Sequence, residues 1–291
     1  MSELAAVDLS SPPDGLGVLA FRGADAARFL QGQLSADVEK LGVGASTLAG
    51  LHNPQGRVIA ILALLRTAPD EVLAVLPRQL CAAVEQRLRK YILRAKVAIE
   101  DLNHSVTVVG SSAGASATDI PSLPWSDRWL LLVPADRSAE FADKLVSADD
   151  WKRADIAAGV PQVYSATSEA FVAQMLNLDL LGAIAFDKGC YTGQEVIARA
   201  HYRGRVKRRL QRWHGTGNNL PSAGDAVRSS DGRALTVIRA AAPVAGRWEI
   251  LAVGPFAANG AGEGSASASP ASDATVIQVE GPLALPYSLP E

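Results

Sequence analysis

Short apolar runs of strand length alternate with helix-like spacing along the first two thirds of the chain. Leu16 to Phe21 predicts a strand. After Gly23-Ala-Asp25, apolar residues recur at Ala27, Phe29, Leu30, Leu34 and Val38, a three- and four-residue spacing that predicts a helix. Ala45 to Leu65 predicts a β-hairpin that turns at Asn53-Pro-Gln-Gly56, because Asn, Pro and Gly supply the dihedral angles of a tight turn. Glu71 to Leu76 predicts a strand. Gln79 to Ala95 predicts an amphipathic helix with Leu80, Val84, Leu88, Tyr91 and Ile92 on one face. Strands are expected near Val97–Glu100, Val106–Val109 and Trp129–Val133, a loop over Ser111 to Pro124, and helices over Ala139 to Val146 and from Trp151 to Gly159. Beyond Lys207 the pattern changes to short β-like runs separated by Gly, Pro and Ser: Leu210–His214, Ala226–Arg228, Leu235–Ala240, Glu249–Val253 and Thr275–Val279. That spacing predicts a small sheet or barrel, interrupted by a Gly/Ala/Ser-rich loop over Ala257 to Asp273. The order is mixed α and β first, then all β.

Composition adds limits. The chain has 291 residues, enough for two or three domains at roughly 100–200 residues each. It is 48% hydrophobic and 20% charged, an ordinary globular balance. The net charge of −2 means that any polyanion must be met by a local patch. The N-terminal MSELAAVDLSSPPDG has neither a basic nor an apolar targeting region, and the longest apolar run, Val58 to Leu65, is too short to span a bilayer. These features predict a cytoplasmic protein with no membrane contact, whose two cysteines, Cys81 and Cys190, are reduced.

Several motif matches fail on context. Gly15-Leu-Gly17-Val-Leu-Ala20 fits a loose dinucleotide fingerprint, but a polar loop precedes it and a strand overlaps it. Gly110-Ser-Ser-Ala-Gly114 fits a nucleophile elbow, but no helical pattern follows. There is no P-loop, no Cys-x-x-Cys pair and no His-Glu-x-x-His helix, so no metal-ligand spacing is expected.

The chemistry concentrates in Lys188-Gly-Cys-Tyr-Thr-Gly-Gln-Glu195. Thr192 and Glu195 fit a capping box for a helix continuing through Val196-Ile-Ala-Arg199. Cys190 is therefore expected on a glycine-flanked turn before a helix N-terminus, with Lys188 as electrostatic partner. Both would lower a thiol pKa. The bland reading stays open beside it: Cys190 as a small hydrophobe, Lys188 as a solvated charge, Glu195 as a cap. Cys81, between Leu80 and Ala82 in the predicted amphipathic helix, is expected in the core.

The string from Lys188 to Glu195, continued as VIARAHYRGRVKRR, resembles the signature of the YgfZ branch of the folate-binding superfamily that also holds the glycine-cleavage T-protein. Phe29-Leu-Gln-Gly-Gln33, Asn53-Pro-Gln-Gly-Arg57, Ile156-Ala-Ala-Gly-Val-Pro161, Gln174-Met-Leu-Asn177 and Leu285-Pro-Tyr-Ser288 resemble segments of that family in the same order. The resemblance implies an α+β fold: a cloverleaf of mixed α/β subdomains around a central folate cavity, with a small C-terminal β-barrel. Residues 1–205 would form the T-protein-like folate-binding region and 206–291 the barrel. It also implies tetrahydrofolate or a derivative as cofactor. The implied role is assembly or repair of iron–sulfur enzymes, including a tRNA methylthiolation enzyme, with those enzymes or assembly factors as partners of a monomer.

Cys190 matches the cysteine of the family signature, with Lys188 beside it as the second reactive-site residue. Gln174, Asn177 and Glu195 are suited to pair with a pterin, and Trp151 to supply a stacking face. Gln31, Gln33 and Arg57 resemble family positions lining the cavity, with a surface polar role as the plain alternative, and Tyr191 and Gln194 of the signature are counted with the cofactor-binding residues. Arg199 and Arg203 begin a basic run, with no acid from Val196 to Arg212, that suits the carboxylates of a folate tail. A solvated strand face is the plain alternative for that run, and direct RNA contact ranks last. In the T-protein relatives an aspartate on the strand after the hairpin turn assists one-carbon chemistry. Here Val58-Ile-Ala-Ile-Leu62 carries no acid, so an accessory role ranks above a one-carbon transferase.

Overall fold

The computed structural model describes residues 6–11, 13–112, 119–144, 147–204, 206–256 and 277–290. Two compact units are present. One comprises Met1–Trp151 with Gln162–Arg205, the other Lys152–Pro161 with Val206–Glu291.

The first unit contains two antiparallel sheets. In the larger, the strands β2 (Leu16–Arg22), β3 (Ser46–His52), β4 (Val58–Ala68), β5 (Glu71–Pro77) and β6 (Ala98–Asp101) lie in the order β3-β4-β5-β2-β6. The predicted hairpin is β3 and β4, in register from Ser46↔Leu65 to His52↔Val58. Every residue from Val58 to Leu65 is buried, which is why this strand reads as a continuous apolar run rather than an alternation. The smaller sheet runs β1-β7-β9-β8, from Ala6–Asp8, Val106–Ser111, Arg128–Pro134 and Ser122–Trp125 respectively.

The elements differ from expectation at identifiable places. The helix α1 covers only Ala26–Gln31. Beyond it the Gln31 side chain takes over: its Oε1 accepts the Val38 amide at 2.7 Å and its Nε2 donates to Asp37 at 3.0 Å. That non-helical turn still buries Leu34 and Val38 completely. The helix α2, Arg78–Arg89, buries Leu80, Cys81, Val84 and Leu88 but stops before Tyr91, which is 47% exposed. The chain must turn back there to pair β6 with β2. Asp25 pins the return by accepting the Lys96 amide and donating its own amide to the Lys96 carbonyl.

Part of the expected 111–124 loop is the edge strand β8. Leu123 and Trp125 alternate inward there, and the edge position tolerates Pro124. Residues 113–118 of that loop lie outside the described residues, as do Val146 and the expected loop Ala257 to Asp273. The segment Ala135–Lys144 is a 3-10 helix, and α3 runs from Ala148 to Ala157, so Trp151 lies within it rather than opening it.

The second unit is a closed five-stranded barrel. Its strands β10 (Arg208–Thr216), β11 (Ala226–Ser229), β12 (Ala234–Val244), β13 (Arg247–Pro255) and β14 (Gln278–Leu283) close in the order β10-β13-β12-β11-β14. Trp213, Val227, Leu235, Val237, Trp248, Ile250, Ala252 and Val279 fill it. The predicted fold class, mixed α and β with a C-terminal barrel, is the observed one, although sheets dominate and the helices are few and short.

Candidate functional site

Three pieces of the first unit converge on the signature segment: the turn after α1, the β3–β4 hairpin tip, and the helix α4 (Gln194–Tyr202) that follows the signature. Lys188 forms the deepest joint. It is 8% exposed, and its ammonium donates to the carbonyls of Gln31 at 2.6 Å, Leu34 at 2.6 Å and Ala36 at 2.8 Å. Three N–H donors meet three carbonyls, so the charge is satisfied without a carboxylate. Burial pulls its pKa down to about 8, partly opposed by Asp37 and Glu39. At neutral pH it therefore stays an ammonium. The three donors are thus committed to the 31–36 turn rather than to the Cys190 thiol, and the nitrogen lies 5.0 Å from the Tyr191 ring centre. Ser35 adds two more ties, its hydroxyl donating to the Ala183 carbonyl and its own carbonyl accepting the Ala185 amide.

A second joint sits at the hairpin tip. Asn53 folds the turn by accepting the amides of Gln55 and Arg57 on its side-chain oxygen, both at 3.0 Å. Gly56 and Gly193 approach closely there. A Cβ at Gly193 would lie 2.6 Å from the Asn53 carbonyl oxygen and 3.0 Å from the Gly56 Cα, and Gly193 adopts φ +82°. This contact changes the expected helix start. Gly193, not Thr192, is the N-cap of α4, and no side chain caps it. The capping box is therefore not formed, and Glu195 is an exposed carboxylate in the first helical turn. Between the two joints Gly189 and Cys190 are both exposed. Cys81 is buried, and burial pushes its thiol up to about 11.

The remaining predicted residues divide into buried supports and exposed polar groups. Tyr191 is buried, and burial pushes its hydroxyl up to about 12. Gln174 lies in the 3-10 turn Ala173–Leu176 and donates from Nε2 to the Ile197 carbonyl at 2.7 Å, bracing α4 from below. Asn177 is fully buried, with φ +58° at the end of that turn. The Gln31 side chain serves the 37–39 turn. Arg57 is exposed and donates to the Ala170 carbonyl at 2.5 Å, fastening β4 to the 169–172 segment. Gln194 reaches the Lys188 carbonyl at 3.4 Å.

Trp151 is 7% exposed. The Arg128 guanidinium lies 4.0 Å over its ring, and the absence of a side chain at Gly110 makes room for the ring's edge. One face of the ring is thus covered by arginine. Arg199 and Arg203 are exposed and carry no ion pair with a described residue. Arg205 lies outside the described residues.

Two features were not singled out from sequence. His52 is fully buried, its ring 6.1 Å from that of Tyr191, and neither ring nitrogen makes a well-formed hydrogen bond. Burial pulls its pKa down to about 3, the Gly50 backbone offsetting this only slightly. A lone histidine in a strand carries no signal for this. Phe186 stacks on His201 at 3.8 Å, with Tyr202 edge-on to both. Among the described residues no group of three His, Cys, Asp or Glu could hold a metal, and no helix is long and apolar enough to cross a membrane.

No protein-family model matches the chain. The architecture is that of the aminomethyltransferase T fold: it superposes on the glycine cleavage system aminomethyltransferase T of Bartonella henselae with a TM-score of 0.68 and 14% identity, covering 87% of this chain and 78% of that one. Within that fold the chain belongs to the YgfZ family. It is 32% identical over 240 residues to the tRNA-modifying protein YgfZ of Enterobacter sp. (strain 638), covering 73% of each protein. It is 32% identical over 242 residues to the protein of the same name from Yersinia pestis (strain Pestoides F), covering 73% of this chain and 72% of that one. An uncharacterized protein of Haemophilus influenzae is 34% identical over 192 residues, covering 65% of this chain and 67% of its own.

Two outcomes follow from this geometry. Gly193→Ala must move the hairpin tip or abandon φ +82°, so it should lower stability by about 1–3 kcal/mol in urea titration, with α4 the first element to lose protection. Wild-type stability would contradict the close approach. For His52, the folded pKa of about 3 lies below the free value of 6.5. The unfolded chain then binds the extra proton, and stability falls as pH drops from 6.5 toward 3, by about 1.4 kcal/mol per pH unit. His52→Leu should flatten that slope by the same amount, and an unchanged slope would show that the imidazole is charged or solvated.

Proposed function

We propose that this chain is a cytoplasmic, tetrahydrofolate-binding accessory protein for the assembly or repair of iron–sulfur enzymes that modify tRNA, acting through Cys190. One observation carries the reading. Of the two thiols, Cys81 is sealed in the core, while Cys190 is exposed on a turn anchored on both sides by Lys188 and Gly193. A thiol presented in this way can meet a partner protein without the fold opening. The family relatives named as tRNA-modifying proteins support the tRNA side of the reading.

The exposed groups on α4 fit a folate. Glu195 and Arg199, four residues apart, share one flank of the helix, and Arg203 follows at its C-cap. A carboxylate suits the amino-pyrimidinone edge of a pterin, and guanidinium groups suit the carboxylates of a glutamyl tail. Gln174 holds α4 from beneath through the Ile197 carbonyl, Asn177 ends the 3-10 turn that carries Gln174, and Tyr191 and Gln194 shape the turn ahead of α4. A bound tetrahydrofolate would supply a reduced pterin ring beside this turn. The strand Val58–Leu62 is buried and free of acids, so it offers no general acid or base for aminomethyl transfer. That favours the accessory role over a one-carbon transferase.

In cells whose own copy is replaced by Cys190→Ala, the methylthiolated nucleosides of tRNA should fall several-fold by mass spectrometry while the variant protein accumulates normally. Full retention would remove the thiol from the proposal. In titrations followed by tryptophan fluorescence, tetrahydrofolate should bind the wild type and bind Arg199→Ala/Arg203→Ala at least about tenfold more weakly, since each charged hydrogen bond contributes about 1.5–3 kcal/mol. No binding by the wild type would remove the cofactor.

A further inference from the structure

A cavity of about 390 Å³ lies between α1 and the loop that joins α2 to β6, lined by Asp25, Arg28, Phe29, Gln33 and Arg94 among others. It shares no lining residue with the thiol turn or α4. Arg28 and Arg94 make no ion pair with any described residue, and the Gln33 side chain makes no hydrogen bond with one. One carboxylate also lines the cavity, Asp25, which accepts the Lys96 amide at 2.8 Å and leaves the two arginines one positive charge in excess. The cavity therefore presents two uncommitted guanidinium forks and a free amide.

The surroundings extend the same charge. From Arg87 to Lys96 the chain carries Arg87, Arg89, Lys90, Arg94 and Lys96 and no acid. Arg87 and Arg89 are drawn off by Glu169 and Glu85. Lys90, Arg94 and Lys96 are exposed without an ion pair to a described residue, and Tyr91 and Leu93 stand beside them at 47% and 87% exposure. A single carboxylate needs one arginine fork. Two free arginines in a cavity, with exposed lysines and an exposed aromatic ring in the chain segment that carries Arg94, match a chain of phosphates whose bases can stack.

We propose that this face binds RNA, with a backbone phosphate seated between Arg28 and Arg94 and a base against Tyr91. The inference rests on the tRNA side of the function proposed above and deepens it: the protein would hold the RNA substrate of the enzymes it serves. The basic run after α4 is not required.

The test is fluorescence anisotropy of purified full-length protein with labelled, unmodified bacterial tRNA, without folate, at 50–200 mM salt. The wild type should bind with an affinity that falls as salt rises. Arg28→Gln/Arg94→Gln should bind at least about tenfold more weakly, with a log–log salt slope shallower by about 0.7–0.9, as expected when one phosphate is no longer neutralised. Tyr91→Ala should weaken binding without changing the slope. Both arginines are exposed, so an unaltered thermal midpoint is expected and confirms that the double variant is folded. No binding of tRNA by the wild type would overturn the proposal, as would equal binding by the double variant. So would an arginine-dependent affinity for inorganic phosphate or polyglutamate in the absence of any for tRNA. Because the readout uses neither folate nor the thiol, such a failure leaves the cellular and folate assays standing as separate tests.

Discussion

The ammonium of Lys188, held by the carbonyls of Gln31, Leu34 and Ala36, is the interaction on which the arrangement of the site depends. Those carbonyls come from the last residue of α1 and from the turn that follows it, where the helical ladder has ended. A buried carbonyl left unpaired costs on the order of 1–3 kcal/mol. A buried ammonium without partners is no better placed, as its lowered pKa shows. Each group is tolerable only because the other is present. The pairing also joins residues more than 150 positions apart in sequence, fixing the signature segment against the start of the chain.

With Lys188 fixed, the thiol turn has little freedom. Gly193 lies against the Asn53–Gly56 hairpin tip, and the hairpin is continuous with β4, the strand buried over Val58–Leu65. Gln174 supports α4 through the Ile197 carbonyl. Cys190 is thereby presented on a rigid base while remaining open to solvent. Such a mounting suits a thiol that must meet a large partner, since little ordering entropy is lost at the encounter. The lysine expected to act on the thiol through its charge is also the mechanical anchor of the thiol's turn.

The architecture was largely legible in the sequence because it rests on periodicity. The β3–β4 hairpin, the apolar face of α2 and the closely spaced barrel strands all announce themselves through apolar spacing and turn residues. What was not legible depends on partners distant in sequence. The Thr192–Glu195 pair reads as a capping box until the hairpin tip forces Gly193 into a left-handed conformation one residue later. Trp151 reads as a ligand platform or as core, and the Arg128 guanidinium over its ring comes from a residue 23 positions away. Gln31 reads as a cavity residue, but its local turn consumes both ends of its amide. Pro124 obscured β8 by suggesting a loop where an edge strand forms. The basic stretch from Arg87 to Lys96 was absorbed into the amphipathic pattern of α2, and only the early end of that helix exposes it.

The central claim is that the buried ammonium ties the signature segment to the 31–36 turn. Hydrogen exchange read by mass spectrometry on Lys188→Met tests it most directly, because methionine keeps the length of the side chain and removes the donors. Amides of residues 183–197 and 31–38 should exchange faster in the variant, while those of the barrel strand Arg208–Thr216 keep their protection. Unchanged protection across 183–197 would contradict the account.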